Sequence, residues 1–246
     1  MKRITSLIRR AVDEYDMIGE NEKIAVGVSG GKDSLILLHA LADLSRYHPK
    51  HFSVIGITLD MGYHPDYAPI QRLCEKLGVE YYVKSTRIKE IIFDIRKETN
   101  PCALCAKMRR GALNDAAMEH GAYKIALGHH SDDVIETFLL SLMYEGRINC
   151  FDPVTYLDRT GITQIRPMIY VQERDIKGAV KRHDIPVIPS GCPADGQTKR
   201  EEMKKLLRTM EQETFPGLKK RMFTAIQRGV WEMQPIPVKR SKTRIE

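Results

Sequence analysis

The chain has 246 residues, 42% hydrophobic and 29% charged, an ordinary globular composition with enough length for a sizeable core. No apolar run approaches the roughly 18 residues of a membrane span, and residues 1–23 read as an amphipathic helix instead of a signal peptide, so the cytoplasm is the expected location and no membrane the expected partner. Lys and Arg total 39 against 32 Asp and Glu, a formal +7 that permits a nucleic-acid partner without requiring one. The excess is clustered in "RITSLIRR", "KMRR", "LKKR" and "VKRSKTR".

Ile4, Leu7, Ile8 and Val12 recur at three- and four-residue steps and predict a helix over 3–16. "IAVGV" (24–28) reads as a buried parallel strand and 33–47 as a helix. A second strand is predicted at 52–60, a helix at 66–78 stopped by Gly78, a third strand at 79–85 and a short helix at 88–98. A helix over 106–121, a strand over 123–128 and a helix over 131–146 with Ser131 as N-cap follow. Beyond 147 the pattern is less regular, with helices expected at 173–184 and 199–213 and a loose tail over the last dozen residues. There is no internal repeat and no low-complexity tract.

This alternation predicts an α/β fold, a doubly wound parallel sheet with helices on both faces and a helical C-terminal extension. The expected division is an N-terminal amphipathic helix (1–22), a nucleotide-binding α/β unit with a cysteine-bearing helical insertion (23–190), and a C-terminal helical segment with a basic tail (191–246). Ligands of such sheets sit at the carboxyl ends of the strands. The loop after the first strand, Asp60 and "GHHSDD" all fall at such ends and should converge.

That loop runs Val28-Ser29-Gly30-Gly31-Lys32-Asp33-Ser34. It is not the G-x-x-x-x-G-K-[ST] loop of the commonest ATPases: Val26 stands where the first glycine belongs and Asp33 where the hydroxyl belongs. Nor is it G-x-G-x-x-G. The residues still suit phosphate. Glycines expose backbone N–H groups, the helix start adds positive potential, Ser29 and Ser34 carry hydroxyls, and Lys32 adds a cation. A tight strand–helix turn with no ligand is the plain alternative.

"SGGKDS" after a strand resembles the PP-loop of the ATP pyrophosphatase family. The resemblance implies an enzyme that splits ATP between the α and β phosphates and places AMP on a substrate oxygen. It implies nucleotide contacts from Val28 to Ser34, from Asp60 and Met61 in "LDMGY", and from Gly128 and His129. It implies a catalytic set of Lys32, Asp33, Asp132 and Asp133, with Mg²⁺ on Asp132 and Asp133, a sensible use of carboxylates beside a polyphosphate. By themselves the two acids also fit favourable charge at a helix start. His129 and His130 either pack near the adenine or are structural.

There are five cysteines, an odd number that argues against a disulfide scaffold. Cys74 sits at an apolar helical position and reads as a buried small hydrophobe, and Cys150 receives no role. Cys102 and Cys105, in "NPCALCAKMRRGAL", lie at a helix start, a position that favours thiolate. They could form a redox pair, half a zinc site or part of an iron–sulfur site, with Cys192 as the obvious third ligand. Three cysteines around a [4Fe–4S] cluster leave one iron open to a reacting species.

Together the loop, "PCALC", "RRG" and "GHHSDDVIET" resemble the tRNA 2-thiocytidine synthetase family, TtcA, over most of residues 20–210. The TtuA-type enzymes share the loop and C-x-x-C but add terminal zinc clusters that this chain lacks. The resemblance implies Cys102, Cys105 and Cys192 as cluster ligands, although the second distal cysteine usual in TtcA is missing. It implies tRNA as substrate, adenylated at the C2 oxygen of a pyrimidine, most simply cytidine in the anticodon loop. The sulfur would come from a cysteine desulfurase or free sulfide. Arg109 and Arg110 are candidates for tRNA phosphate contact or else a solvated helix face. A homodimer is left open. The rival readings are a PP-loop ligase or amidotransferase acting on a small molecule, and a zinc-stabilised RNA-binding protein without catalysis.

Overall fold

The computed structural model describes residues 1–96, 101–189, 191–192 and 199–232. Among them, six strands form one sheet in the order β3-β2-β1-β4-β6-β5. They are β1 (Glu22–Gly27), β2 (Phe52–Asp60), β3 (Glu80–Ser85), β4 (Lys124–Ala126), β5 (Val154–Leu157) and β6 (Ile162–Ile165). All pairings are parallel except that of β5 with β6. The helices are α1 (Lys2–Glu14), α2 (Lys32–Leu44), α3 (Ala68–Leu77), α4 (Pro101–Glu119), α5 (Ser131–Glu145), α6 (Glu173–His183), α7 (Lys199–Thr209) and α8 (Leu218–Ile226).

The period-two alternation of the strands divides the core. Ile24, Val26 and Val54 join the larger cluster with α1, α2, α3, α5 and α6. Ala25, Ile55, Ile57 and Ile125 join a smaller one beneath Ala116 and Ala117 of α4. Burying each large aliphatic side chain contributes about 1.5–3 kcal/mol. Helix α1 and the last described residues close on the larger cluster. Ile4, Ile8 and Val12 of α1 are buried there with Ile226, Val230 and Trp231, and the Trp231 ring meets Tyr15 edge-on at 6.2 Å.

The strand order reverses between β1 and β4. That switch point is where an open α/β sheet leaves a crevice for ligand. The loop after β1 and the "GHHSDD" turn after β4 therefore emerge side by side.

The structure departs from the sequence reading in several places. The irregular stretch after 147 contains a hairpin, β5–β6, turned at Gly161 with φ 70°. Its four-residue strands are too short to show a period, and it adds an antiparallel edge to the expected parallel sheet. Helix α4 starts at Pro101, five residues early, because proline lacks only an N–H that the first turn does not use. The short helix expected at 88–98 is a π-helical turn, Glu90–Ile95. The expected tail lies outside the described residues.

Candidate active site

The β1 exit is fixed to β2 before the loop begins. Val28 donates its N–H to Ile57 O at 2.8 Å and accepts the Thr58 hydroxyl at 2.8 Å. Gly30 then takes φ +82°, and Gly31 caps α2 without a side chain, so no side chain satisfies the first amides of the helix. The hydroxyls organise the loop from within. Ser29 N–H donates to Ser34 Oγ at 3.1 Å, Gly31 N–H to Ser29 Oγ at 3.3 Å, and Ser34 Oγ to Gly31 O at 3.0 Å. Ser34, expected as a phosphate donor, is buried and spends its proton inside the loop; Ser29 stays exposed.

Lys32 Nζ lies 2.9 Å from Asp33 Oδ2 and 3.1 Å from Glu173 Oε1 at the start of α6. Burial works against the Glu173 carboxylate, but Lys177 and Lys32 outweigh it and bring its pKa to about 2. The other Asp33 oxygen, Oδ1, is buried without a hydrogen-bond partner. It is a carboxylate oxygen pointed at nothing in the described protein except the edge of His130, 3.7 Å away.

The β4 exit meets this loop backbone to backbone. A Cβ on Gly128 would stand 3.1 Å from Asp33 C and Ser34 N. His130, not Ser131, is the N-cap of α5: its ring accepts the Asp133 N–H and the Asp133 carboxylate accepts the His130 N–H. Ser131 instead donates its hydroxyl to Val171 O at 2.8 Å. Asp132 is buried, its Oδ1 2.7 Å from Lys219 Nζ and its Oδ2 accepting the Glu173 N–H at 2.9 Å. Burial opposes ionisation, yet these partners keep the carboxyl below its ordinary range. Asp133 Oδ1 is 3.6 Å from Arg200. The acidic pair expected to hold magnesium is thus largely engaged by protein groups, and Asp33 is the acid with a buried oxygen that has no hydrogen-bond partner. The His129 ring stacks on Phe151 at 4.8 Å, and burial, then Arg166, hold it neutral.

Asp60 ends β2 and turns its carboxylate inward. Oδ1 accepts the N–H groups of Gly62 and His64 at 2.9 and 3.2 Å, and Oδ2 meets His64 Nδ1 at 2.6 Å. Burial disfavours its charge, but these bonds prevail and lower its pKa. Its side chain builds the turn. Met61 lines a cleft of about 600 Å³ together with Gly62, His64, Thr86, Arg87 and Lys89.

Cys102 and Cys105 occupy the first two turns of α4, exposed and half-buried, and the half-buried Cys192 joins them. Each neighbour thiolate, Cys192 before Cys102, disfavours charge on Cys105. Against the helix-start expectation, the Cys105 thiol is raised, because burial outweighs the Arg109 guanidinium beside it. Among the described residues no three His, Cys, Asp or Glu side chains enclose a single metal ion. Cys102 and Cys192 both lie near enough to Cys105 to act on its charge, and thiolates are the donors that would hold an iron–sulfur cluster. Cys74 and Cys150 are buried away from this set, their thiols pushed up by burial to about 11 and about 12.

Residues 2–208 match the model of the PP-loop domain. The tRNA-cytidine(32) 2-sulfurtransferase of Geotalea daltonii is 38% identical over 229 residues, 92% of this chain and 90% of that protein. The enzyme of the same name from Citrifermentans bemidjiense is 36% identical over 228 residues, 91% and 89% of the two chains. The chain belongs to the PP-loop family of tRNA-cytidine 2-sulfurtransferases. The fold agrees: the U34-tRNA thiolase NcsA of Methanococcus maripaludis, solved with its [4Fe–4S] cluster, superposes with a TM-score of 0.76 at 23% identity, over 92% of this chain and 77% of that one.

Within this PP-loop site the sequence left three partners unread. Glu173, Arg200 and Lys219 come from α6, α7 and the start of α8 and reach back to Lys32, Asp133 and Asp132. No local motif marks them, since each is an ordinary charged residue at a helix start. Arg109 serves the cysteines. Arg110 is exposed, beside the buried Arg166.

Proposed function

We propose that this chain is an ATP-dependent tRNA sulfurtransferase that exchanges the C2 oxygen of a tRNA cytidine for sulfur. The observation that carries the reading is the pairing of a PP-loop holding an unpartnered Asp33 oxygen with a C-x-x-C whose Cys105 lies near enough to both Cys102 and Cys192 to feel their charge. The loop, residues 28–34, binds the phosphates of ATP through its amides, Ser29 and Lys32. Asp33 would hold Mg²⁺, which when bound would supply positive charge to offset that developing on the leaving pyrophosphate, while Asp133 fixes the start of α5 and Asp132 that of α6. Met61 and the β2 turn border the adenosine, and Gly128 allows the β4 turn to close on the loop.

The cytidine C2 oxygen attacks the α-phosphorus, pyrophosphate leaves, and AMP becomes the leaving group that a bare amide-like oxygen cannot be. A sulfur nucleophile then takes the carbon and AMP departs. Cys102, Cys105 and Cys192 would hold a [4Fe–4S] cluster, which when bound supplies the open iron position for that sulfur. The sulfur donor in this reading is a cysteine desulfurase or free sulfide. The RNA enters as an unpaired loop, its phosphates meeting Arg110 and the cations of the cleft, Arg87 and Lys89. Residues 23–190 carry the adenylation, and residues 191–246 add the third thiol and the basic tail. The exposed apolar residues Leu142 and Met143 at the end of α5, with Ile148 just beyond it, support a second copy of the chain as partner. No helix among the described residues is long and apolar enough to cross a membrane, and we place the enzyme with its tRNA in the cytoplasm.

The test is mass spectrometry of tRNA nucleosides after incubation with the anaerobically purified protein, ATP and sulfide. The expected product is 2-thiocytidine, from brown, iron-containing protein. Colourless protein with one zinc per chain and no thiolated nucleoside would leave the binding-protein reading standing instead.

A further inference from the structure

The turn after β2 reaches past the nucleotide loop to the cysteines. Asp60 clamps Gly62 and His64 on either side of Tyr63. The Tyr63 phenol hydrogen-bonds Cys192 and lies close enough to Cys105 to feel its charge. The ring is packed as well. A Cβ on Gly191 would lie 3.2 Å from Tyr63 Cγ and 3.3 Å from its Cβ and Cδ1, so the residue before Cys192 packs against the ring more closely than most side chains allow. Lys89 Nζ stands 5.1 Å over the ring, and the Lys89 N–H donates to Met61 O at 3.0 Å. Tyr63 is therefore fixed at its ring by Gly191 and Lys89 and at its hydroxyl by a sulfur.

We propose that Tyr63 is a positioning residue for Cys192: its hydroxyl donates to the sulfur, and its ring ties that sulfur to the turn carrying Asp60 and Met61. The proposal rests on Cys192 being a cluster ligand, as argued above. A phenol O–H donated to a ligand sulfur draws electron density from it, and such bonds set cluster potentials and orient ligands. The turn beside the nucleotide and the third thiol then form one rigid piece, so the reacting base meets both at a fixed separation.

The experiment compares wild type, Tyr63→Phe and Gly191→Ala after anaerobic cluster reconstitution. It reads iron content, the cluster midpoint potential by EPR-monitored titration, and kcat and KM for AMP formation and tRNA thiolation. Tyr63→Phe keeps the ring and the packing. It should bind the same iron, show a more negative potential, and lose roughly tenfold in thiolation kcat with KM for ATP unchanged. Gly191→Ala, which pushes the ring, should move the same quantities in the same direction. A Tyr63→Phe potential and kcat equal to wild type overturn the proposal. So does a rise in KM for ATP alone, which would make Tyr63 a nucleotide contact. A wild-type protein that takes up no iron, or takes it up but thiolates no tRNA, removes the underlying reading and this proposal with it, a result distinct from a silent variant.

Discussion

Ile188 donates its N–H to the carbonyl of Gly30 at 2.9 Å, and its Cβ lies 3.2 Å from where a Gly30 Cβ would stand. Ile188, four positions before Cys192, is thus strapped across the PP-loop. Gly30 is needed twice, for its φ of +82° and for this contact. Gly30→Ala should cost about 1–3 kcal/mol of stability from backbone strain alone and should distort the strap. Its KM for ATP in a pyrophosphate-release assay should rise at least roughly tenfold, equal to about 1.4 kcal/mol of lost binding.

Asp33 separates binding from stability. Its Oδ1 makes no hydrogen bond, and its Oδ2 is held by the adjacent Lys32. Asp33→Ala should therefore abolish AMP formation while the thermal midpoint stays within a degree or two of wild type, since no protein partner is left buried and alone on the Oδ1 side. Radiolabelled ATP resolved on thin layers, with a melting curve, checks both halves. Retained AMP production would show that Asp33 is not the acid at the phosphates.

How far the sequence carried this site depends on how local each signal is. The loop, the β4 turn and C-x-x-C are contiguous motifs whose residue types state their chemistry. Strands β1, β2 and β4 showed as apolar runs because they are buried on both faces, whereas the edge strand β3 is not. Glu173, Arg200 and Lys219 were invisible because their meaning comes only from tertiary contact with Lys32, Asp133 and Asp132. Asp60 was visible, but its part in the turn was not: a carboxylate at a strand end equally suits a ligand or the two N–H groups of a tight turn, and only the folded chain shows it holding Gly62 and His64. The Cys105 thiol departs from the helix-start expectation because burial, the larger effect there, outweighs the helix start and Arg109.

Glu136 predicts a pH dependence. It is 2% exposed on α5, with Arg200 at 3.4 Å, and burial first and then Asp133 push its pKa up to about 7. A carboxyl raised in the folded state holds its proton there after the unfolded chain has lost it. Stability from this group is therefore full below the ordinary glutamate range and is lost as pH rises through about 7. Glu136→Gln should melt higher than wild type at pH 8 and equal to it near pH 4.5, the unshifted glutamate value. Equal melting curves at both ends would mean that Arg200 already compensates the charge.

Cys192 and Cys150 make a matched pair for assigning the thiols. Cys150 is buried, and its sulfur donates to Val134 O at 3.4 Å, so Cys150→Ala removes volume and one weak bond from the core. It should lower the melting temperature, at a cost of about 1–2 kcal/mol, and leave iron content and thiolation per folded molecule intact. Cys192 is half-buried beside Tyr63 and Cys105. Cys192→Ala should leave stability nearly unchanged, since little volume is lost from the core, but should bleach the charge-transfer absorption and abolish thiolation. AMP formation should persist in it, because the PP-loop and Asp33 are untouched. Iron assay, absorption spectrum and pyrophosphate release on the two variants separate these outcomes. A Cys192→Ala protein that stays brown and still thiolates would require the third ligand to come from elsewhere in the chain.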